Sequence, residues 1–130
     1  MIKREEIKYN VDGRTVYATL DKVWVEVFDM LDSIERKRRD RKPHLHPMYY
    51  KLLHEAKIPD TVTASATCDV RDEFNVEKGK EIARNKLLKK MAKIKKRYLL
   101  AYLAELETEL EIINMAVDIQ DKRIIQIEHR

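Results

Sequence analysis

Glycine and proline are scarce in this chain of 130 residues, with two of the first and three of the second. A fold of many short strands and tight turns needs more of both, so helix is expected to dominate. The one cysteine, Cys68, excludes an intrachain disulfide and a zinc site built on cysteines. No apolar run approaches the roughly 18 residues of a membrane span. The opening Met1-Ile2-Lys3-Arg4-Glu5-Glu6 lacks the apolar stretch of a secretion signal. A small protein of a reducing, cytoplasmic compartment with no membrane partner is expected. What the chain has in plenty is charge, 38% of residues, beside a 44% hydrophobic share that suffices for a core. Its length suits a single domain over residues 1–130.

The net charge of +4 hides three blocks. Residues 36–42 (Arg36, Lys37, Arg38, Arg39, Arg41 and Lys42 against Asp40) carry +5. Residues 78–97 hold ten basic side chains and one acid, Glu81. Residues 103–121 hold six acids and no base. Basic blocks concentrate polyanions, so nucleic acid is one candidate partner. Few aromatics lie within them, which argues against stacking on single strands. The plainer reading is a solvated helix face, or a surface that meets the acidic block of another copy.

Asp12-Gly13, between the β-prone runs 2–9 and 14–20, predicts a hairpin with a type I′ turn. Trp24, Val27, Phe28, Leu31 and Ile34 fall at helical spacing after Asp21, a candidate N-cap. Alternating valines at 23–27 offer a competing strand, and helix is preferred. Pro43 and Pro47 bracket a loop, and residues 48–54 read as a short helix. From Thr61 to Val70 the chain alternates: Val62, Ala64, Ala66, Cys68 and Val70 share one face. Small residues there suit a half-buried strand under a helix. The fold class expected is α+β: a small antiparallel sheet, the N-terminal hairpin plus the strand near 61–70, packed on helices in residues 1–75. Residues 76–130 form one long coiled-coil helix, about 80 Å at 1.5 Å per residue.

That helix carries a seam at Leu99, Leu103, Leu106, Leu110, Ile113, Val117, Gln120, Ile124 and Ile127, alternating steps of four and three. An upstream seam, Leu87, Met91, Ile94 and Tyr98, is offset from it and suggests a stutter near Tyr98. Each buried leucine or isoleucine contributes about 1.5–3 kcal/mol, so the stripe needs cover. Either the helix folds back near residues 114–121 or further copies cover it as a homo-oligomer, a dimer or higher. Association is preferred because no turn residue breaks the run. Antiparallel pairing centred near Leu100–Leu103 would set basic against acidic blocks.

No phosphate-loop glycine pattern, nucleophile elbow or paired-histidine zinc motif is present, and no enzyme, metal or cofactor is expected. Cys68 reads as an inert, buried thiol. His44 and His46, with His54 downstream, are a weak metal-ligand pattern. The informative segment is 68–84. It takes a strand through a turn into a helix that Asn75 caps, with Lys78 and Lys80 in the first turns. Cations there oppose the helix dipole unless an anion docks at the free N–H groups. Arg84 follows Lys80 by four residues and reaches the same patch. Phe74 precedes the cap, and its usual staple partner is Gly79, which leaves the ring free to stack on a base. The expected ligand-binding residues are Arg71, Phe74, Asn75, Lys78, Lys80 and Arg84. A packed Phe74 with solvated lysines is the alternative.

Ala66-Thr67-Cys68-Asp69, Asp72-Glu73-Phe74, Gly79 and Ile82-Ala83-Arg84 resemble a pattern in small phage and prophage proteins, most of all the Thoeris anti-defence class. Proteins of that class are oligomeric sponges that sequester cyclic ADP-ribose-type immune signals without cleaving them. The resemblance implies a small anionic nucleotide as ligand, in the host cell cytoplasm. It also implies pockets at a dimer interface lined by arginine, an aromatic and an amide, and Arg84, Phe74 and Asn75 are the candidates for those roles. Two other readings stand beside it: a coiled-coil adaptor that binds a host protein, and a phage nucleic-acid-binding protein.

Overall fold

In the computed structural model, which describes residues 6–39 and 47–129, strands β1 (Ile7–Asp12) and β2 (Thr15–Leu20) form the hairpin. Strand β3 (Val62–Thr67) pairs antiparallel with β2, so the order is β1-β2-β3. The class is α+β. The register aligns three rows on one face: Val11–Val16–Ala66, Tyr9–Ala18–Ala64 and Ile7–Leu20–Val62. The β2 and β3 members of these rows are buried. On the other face the hydroxyls of Thr15 and Thr67, and of Thr19 and Thr63, meet across the strands at 2.9 and 3.2 Å.

Two boundaries differ from the sequence reading. Asp12 pairs with Thr15, so the turn centres are Gly13 and Arg14, and of these only Gly13 has positive φ, at 60°. That sign pattern belongs to a type II′ turn, with glycine at its first centre, and not to a type I′ turn. Strand β3 ends at Thr67, and Val70, expected inside, is 83% exposed. The Asp69 carboxylate accepts the Arg71 N–H at 2.9 Å, and the Asp69 carbonyl accepts the Asp72 N–H. This side-chain turn carries the backbone off the sheet before Val70 can pair.

Helix α1 (Val23–Arg39) replaces the competing strand. Asp21 does not cap it. Lys22, at φ 51°, precedes the first helical residue, and its carbonyl accepts the Val25 N–H. The Asp21 carboxylate instead takes Lys8 Nζ at 2.9 Å and the Thr61 hydroxyl at 3.2 Å, which ties β1 to the approach of β3. The bond from Lys8, then its charge, holds the Asp21 carboxyl below its ordinary range. The buried face of α1 is Val23, Glu26, Val27 and Leu31. Trp24 and Ile34, which share the helical spacing of Val27 and Leu31, are exposed, and Phe28 lies edge-on to Trp24 and Tyr50. Glu26 lies on the inward side of the helix: its carboxylate is buried and faces Lys95 Nζ at 3.4 Å.

Helix α2 (Pro47–Glu55) starts on proline, whose missing N–H costs nothing at a first position. It closes in a Schellman motif: Ile58 N–H donates to Leu53 and Lys57 N–H to His54, with Lys57 at φ 54°. Arg97 caps the same end through Nε to the Ala56 carbonyl and Nη2 to that of Lys57. A side chain at that φ costs roughly 1–2 kcal/mol, and glycine's lost freedom returns about half. Lys57→Gly is therefore expected to raise stability by ~0.5–1 kcal/mol, read as a higher urea midpoint at unchanged slope.

Helix α3 (Val76–Glu128) begins as expected: the Asn75 side chain accepts the Lys78 N–H at 3.2 Å. The chain divides into two compact units, Met1–Tyr98 and Leu99–Arg130. The division falls inside α3 and not at its start, because Ala83, Leu87, Met91, Ile94 and Tyr98 are buried in the first unit. The offset upstream seam is thus a core stripe; the Tyr98 hydroxyl, buried, donates to the Tyr49 carbonyl at 3.0 Å. Gly79 sits where a Cβ would lie 2.7 Å from Val16 Cγ2, so only glycine lets the helix reach β2 this closely. Along the open edge of β3, Lys86 Nζ donates to the Ser65 carbonyl and Lys90 Nζ to that of Thr63. In the second unit Leu103, Leu110, Ile113, Val117, Ile124 and Ile127 are each at least half exposed. The 36–42 side chains, Pro43, His44 and His46 lie outside the described residues.

Candidate functional site

The strand-to-helix passage at 68–76 is pinned by Arg14, a residue the sequence pattern did not single out. Its Nη2 donates to the carbonyls of Asp69, at 2.9 Å, and Asp72, and lies 3.3 Å from Cys68 Sγ. The guanidinium also covers the Phe74 ring, 5.8 Å from its centre. One face of the ring expected to stack on a base therefore carries a cation. Only the register could have revealed this, because Thr15 opposes Thr67 and so brings Arg14 level with Cys68.

Once the passage is fixed, the first turns of α3 and β1 enclose a cleft of about 600 Å³, lined by Tyr9, Asn75, Glu77, Lys78, Lys80, Glu81 and Arg84. Four expected residues, Asn75, Lys78, Lys80 and Arg84, come together there. Two do not. Phe74 lines a neighbouring hollow with Cys68, Asp72 and Ile82, which shares Asn75 and Lys78 with the cleft. Arg71 is exposed, its N–H tied to Asp69, and it lines neither. Tyr9 is the residue sequence reasoning missed. Its signal was available, since it follows Ile7 by two on the inward face of β1, opposite small Ala18.

The cleft holds three cations against two carboxylates. Lys80 Nζ is 5.6 Å from the centre of the Tyr9 ring and 3.7 Å from Glu77 Oε1. An N–H of the α3 first turn has no partner within the helix; the Asn75 cap takes that of Lys78. The Arg84 Nε atom is buried and unpaired. Helix-terminal amides, two ammonium groups and a guanidinium donor together can hold an anion, and a tyrosine face adds an apolar wall.

Several basic side chains of the 78–97 block have structural partners. Lys86 and Lys90 sit on β3 carbonyls, Lys95 on Glu26 and Arg97 on the end of α2. Among the described residues, no three His, Cys, Asp or Glu side chains are placed to hold a metal ion, and no helix is long and apolar enough to cross a membrane. No family model, curated protein or solved structure matches the chain.

Proposed function

We propose that this chain binds a small phosphate-bearing nucleotide in the α3 cleft and acts by sequestering it. The observation that supports this reading is the gathering of Lys78, Lys80 and Arg84 in one cleft at the start of α3. Phosphate oxygens suit a guanidinium better than any neutral acceptor. Lys78 and Lys80, unfavourable beside a helix start on their own, become favourable once an anion docks there. Tyr9 supplies an aromatic wall to the cleft, which Phe74 does not line. The resemblance to anti-defence sponges makes cyclic ADP-ribose isomers the first ligands to test, with cyclic dinucleotides second. In that reading the protein is a phage-encoded, homo-oligomeric sponge of the host cytoplasm that does not cleave its ligand.

Titration calorimetry with these compounds is expected to give heat with at least one. Arg84→Ala is expected to weaken that binding about 10- to 100-fold, the loss of one charge-assisted hydrogen bond. Silence with every ligand would overturn the reading; unchanged affinity in Arg84→Ala would move the ligand out of the cleft. A coiled-coil adaptor is the second reading, favoured by the exposed apolar residues of Leu99–Arg130. A duplex-binding role is less favoured, because four cations of the long basic block already have partners in the fold.

A further inference from the structure

The second unit is a helix segment whose seam has a polar member, and that member carries orientation. Written as heptads, Leu103, Leu110, Val117 and Ile124 are a positions, and Leu99, Leu106, Ile113, Gln120 and Ile127 are d positions. Leu103, Leu110, Ile113, Val117, Ile124 and Ile127 are 50 to 66% exposed, so the chain itself does not cover them. A second, shorter stripe, Ile112, Met115 and Ile119, lies on the opposite side of the helix and takes no part in this seam.

An antiparallel pair sets each d position against an a position. Gln120 then faces Leu103, Leu110, Val117 or Ile124, whichever register is chosen, and its amide is buried without a partner. A parallel pair sets d against d. Slipped by one heptad, it places Gln120 against Ile113 or Ile127. In register, it places Gln120 against Gln120 of the other copy, where two amides satisfy each other. A single polar layer of this kind is a known way to specify register.

The flanking charges select the same arrangement. In a parallel, in-register pair each g position meets the next e position of the other copy. Glu109 then meets Asn114, Ala116 meets Asp121, and Arg123 meets Glu128, so one contact is attractive and none joins like charges. A one-heptad slip brings Glu109 to Asp121. The antiparallel arrangement centred near Leu100–Leu103 would put Lys96 opposite Leu106 and Lys89 opposite Ile113, apolar against charged.

We propose that copies of this chain associate through Leu99–Glu128 as a parallel, in-register coiled coil, with Gln120 paired to itself. This deepens the self-association in the sponge reading and does not depend on what the cleft binds. Light scattering on the full-length chain is expected to give a mass of at least two chains. In a Cys68→Ser background that keeps the parent circular dichroism, Ile127→Cys is expected to oxidise to a disulfide-linked dimer, since Ile127 lies beside its own copy only in this arrangement. Gln120→Leu added to that chain is expected to raise the thermal midpoint and lower the cross-link yield, as the register loosens. A single-chain mass overturns the association itself. An oligomeric mass without the 127–127 link overturns the orientation and leaves the cleft reading intact. An unchanged yield in Gln120→Leu overturns the role of Gln120.

Discussion

Lys95→Met is expected to lower stability by about 3 kcal/mol, the lower end of the range for breaking a buried ion pair. Glu26 is only 4% exposed and faces Lys95 Nζ at 3.4 Å, while the Lys95 side chain keeps about a quarter of its surface in water. Removing the ammonium leaves a carboxylate inside the first unit with its charge uncompensated, and desolvation makes that costly. The methionine retains most of the aliphatic stem, so lost packing contributes little. Adding Glu26→Met should return the protein to within about 1 kcal/mol of the parent, because two apolar side chains of similar volume need no partner. Urea denaturation of parent, single and double variants followed by circular dichroism measures both steps. A single variant within ~0.5 kcal/mol of the parent would mean that water already screens the pair.

Gly79→Val is expected to cost about 3 kcal/mol, although valine is the better helix former by a few tenths of a kcal/mol. The new Cβ would stand 2.7 Å from Val16 Cγ2. Val16 is fully buried in the central strand and has stiff rotamers, so it cannot swing aside. Relief requires α3 to lift from the sheet, which loosens Ala83 and Leu87 behind it. Gly79→Ala tests the mechanism more finely. Alone it is expected to destabilise, and in a Val16→Ala background it is expected to stabilise, because the methyl then fills the space vacated. Equal effects in the two backgrounds would remove steric contact as the cause.

The elements of this fold were legible in the sequence where one period ran undisturbed. Alternation in Val62-Thr63-Ala64-Ser65-Ala66 gave the strand, and the absence of breakers after Asn75 gave the helix. The ends were harder to read because side chains set them. Asp69 stopped β3 by binding the Arg71 N–H, and Asp21 joined Lys8 and Thr61 instead of capping α1. The candidate site divides the same way. Asn75, Lys78, Lys80 and Arg84 lie within ten residues of one another on or beside a single helix, so local spacing sufficed to group them. Tyr9 and Arg14 come from the hairpin, more than sixty residues away, and only strand register brings them near. Phe74 shows the limit: its spacing from Gly79 was read correctly, but the guanidinium that covers it comes from another element.

The two lysines on the outer rim of β3 have a consequence for behaviour at high concentration. A strand rim with open carbonyls is a template on which a neighbouring molecule can add its own strand, the first step toward a fibril. Lys86 and Lys90 occupy those acceptors and leave charge facing any approaching backbone. Growth by sheet extension is thereby blocked on this side.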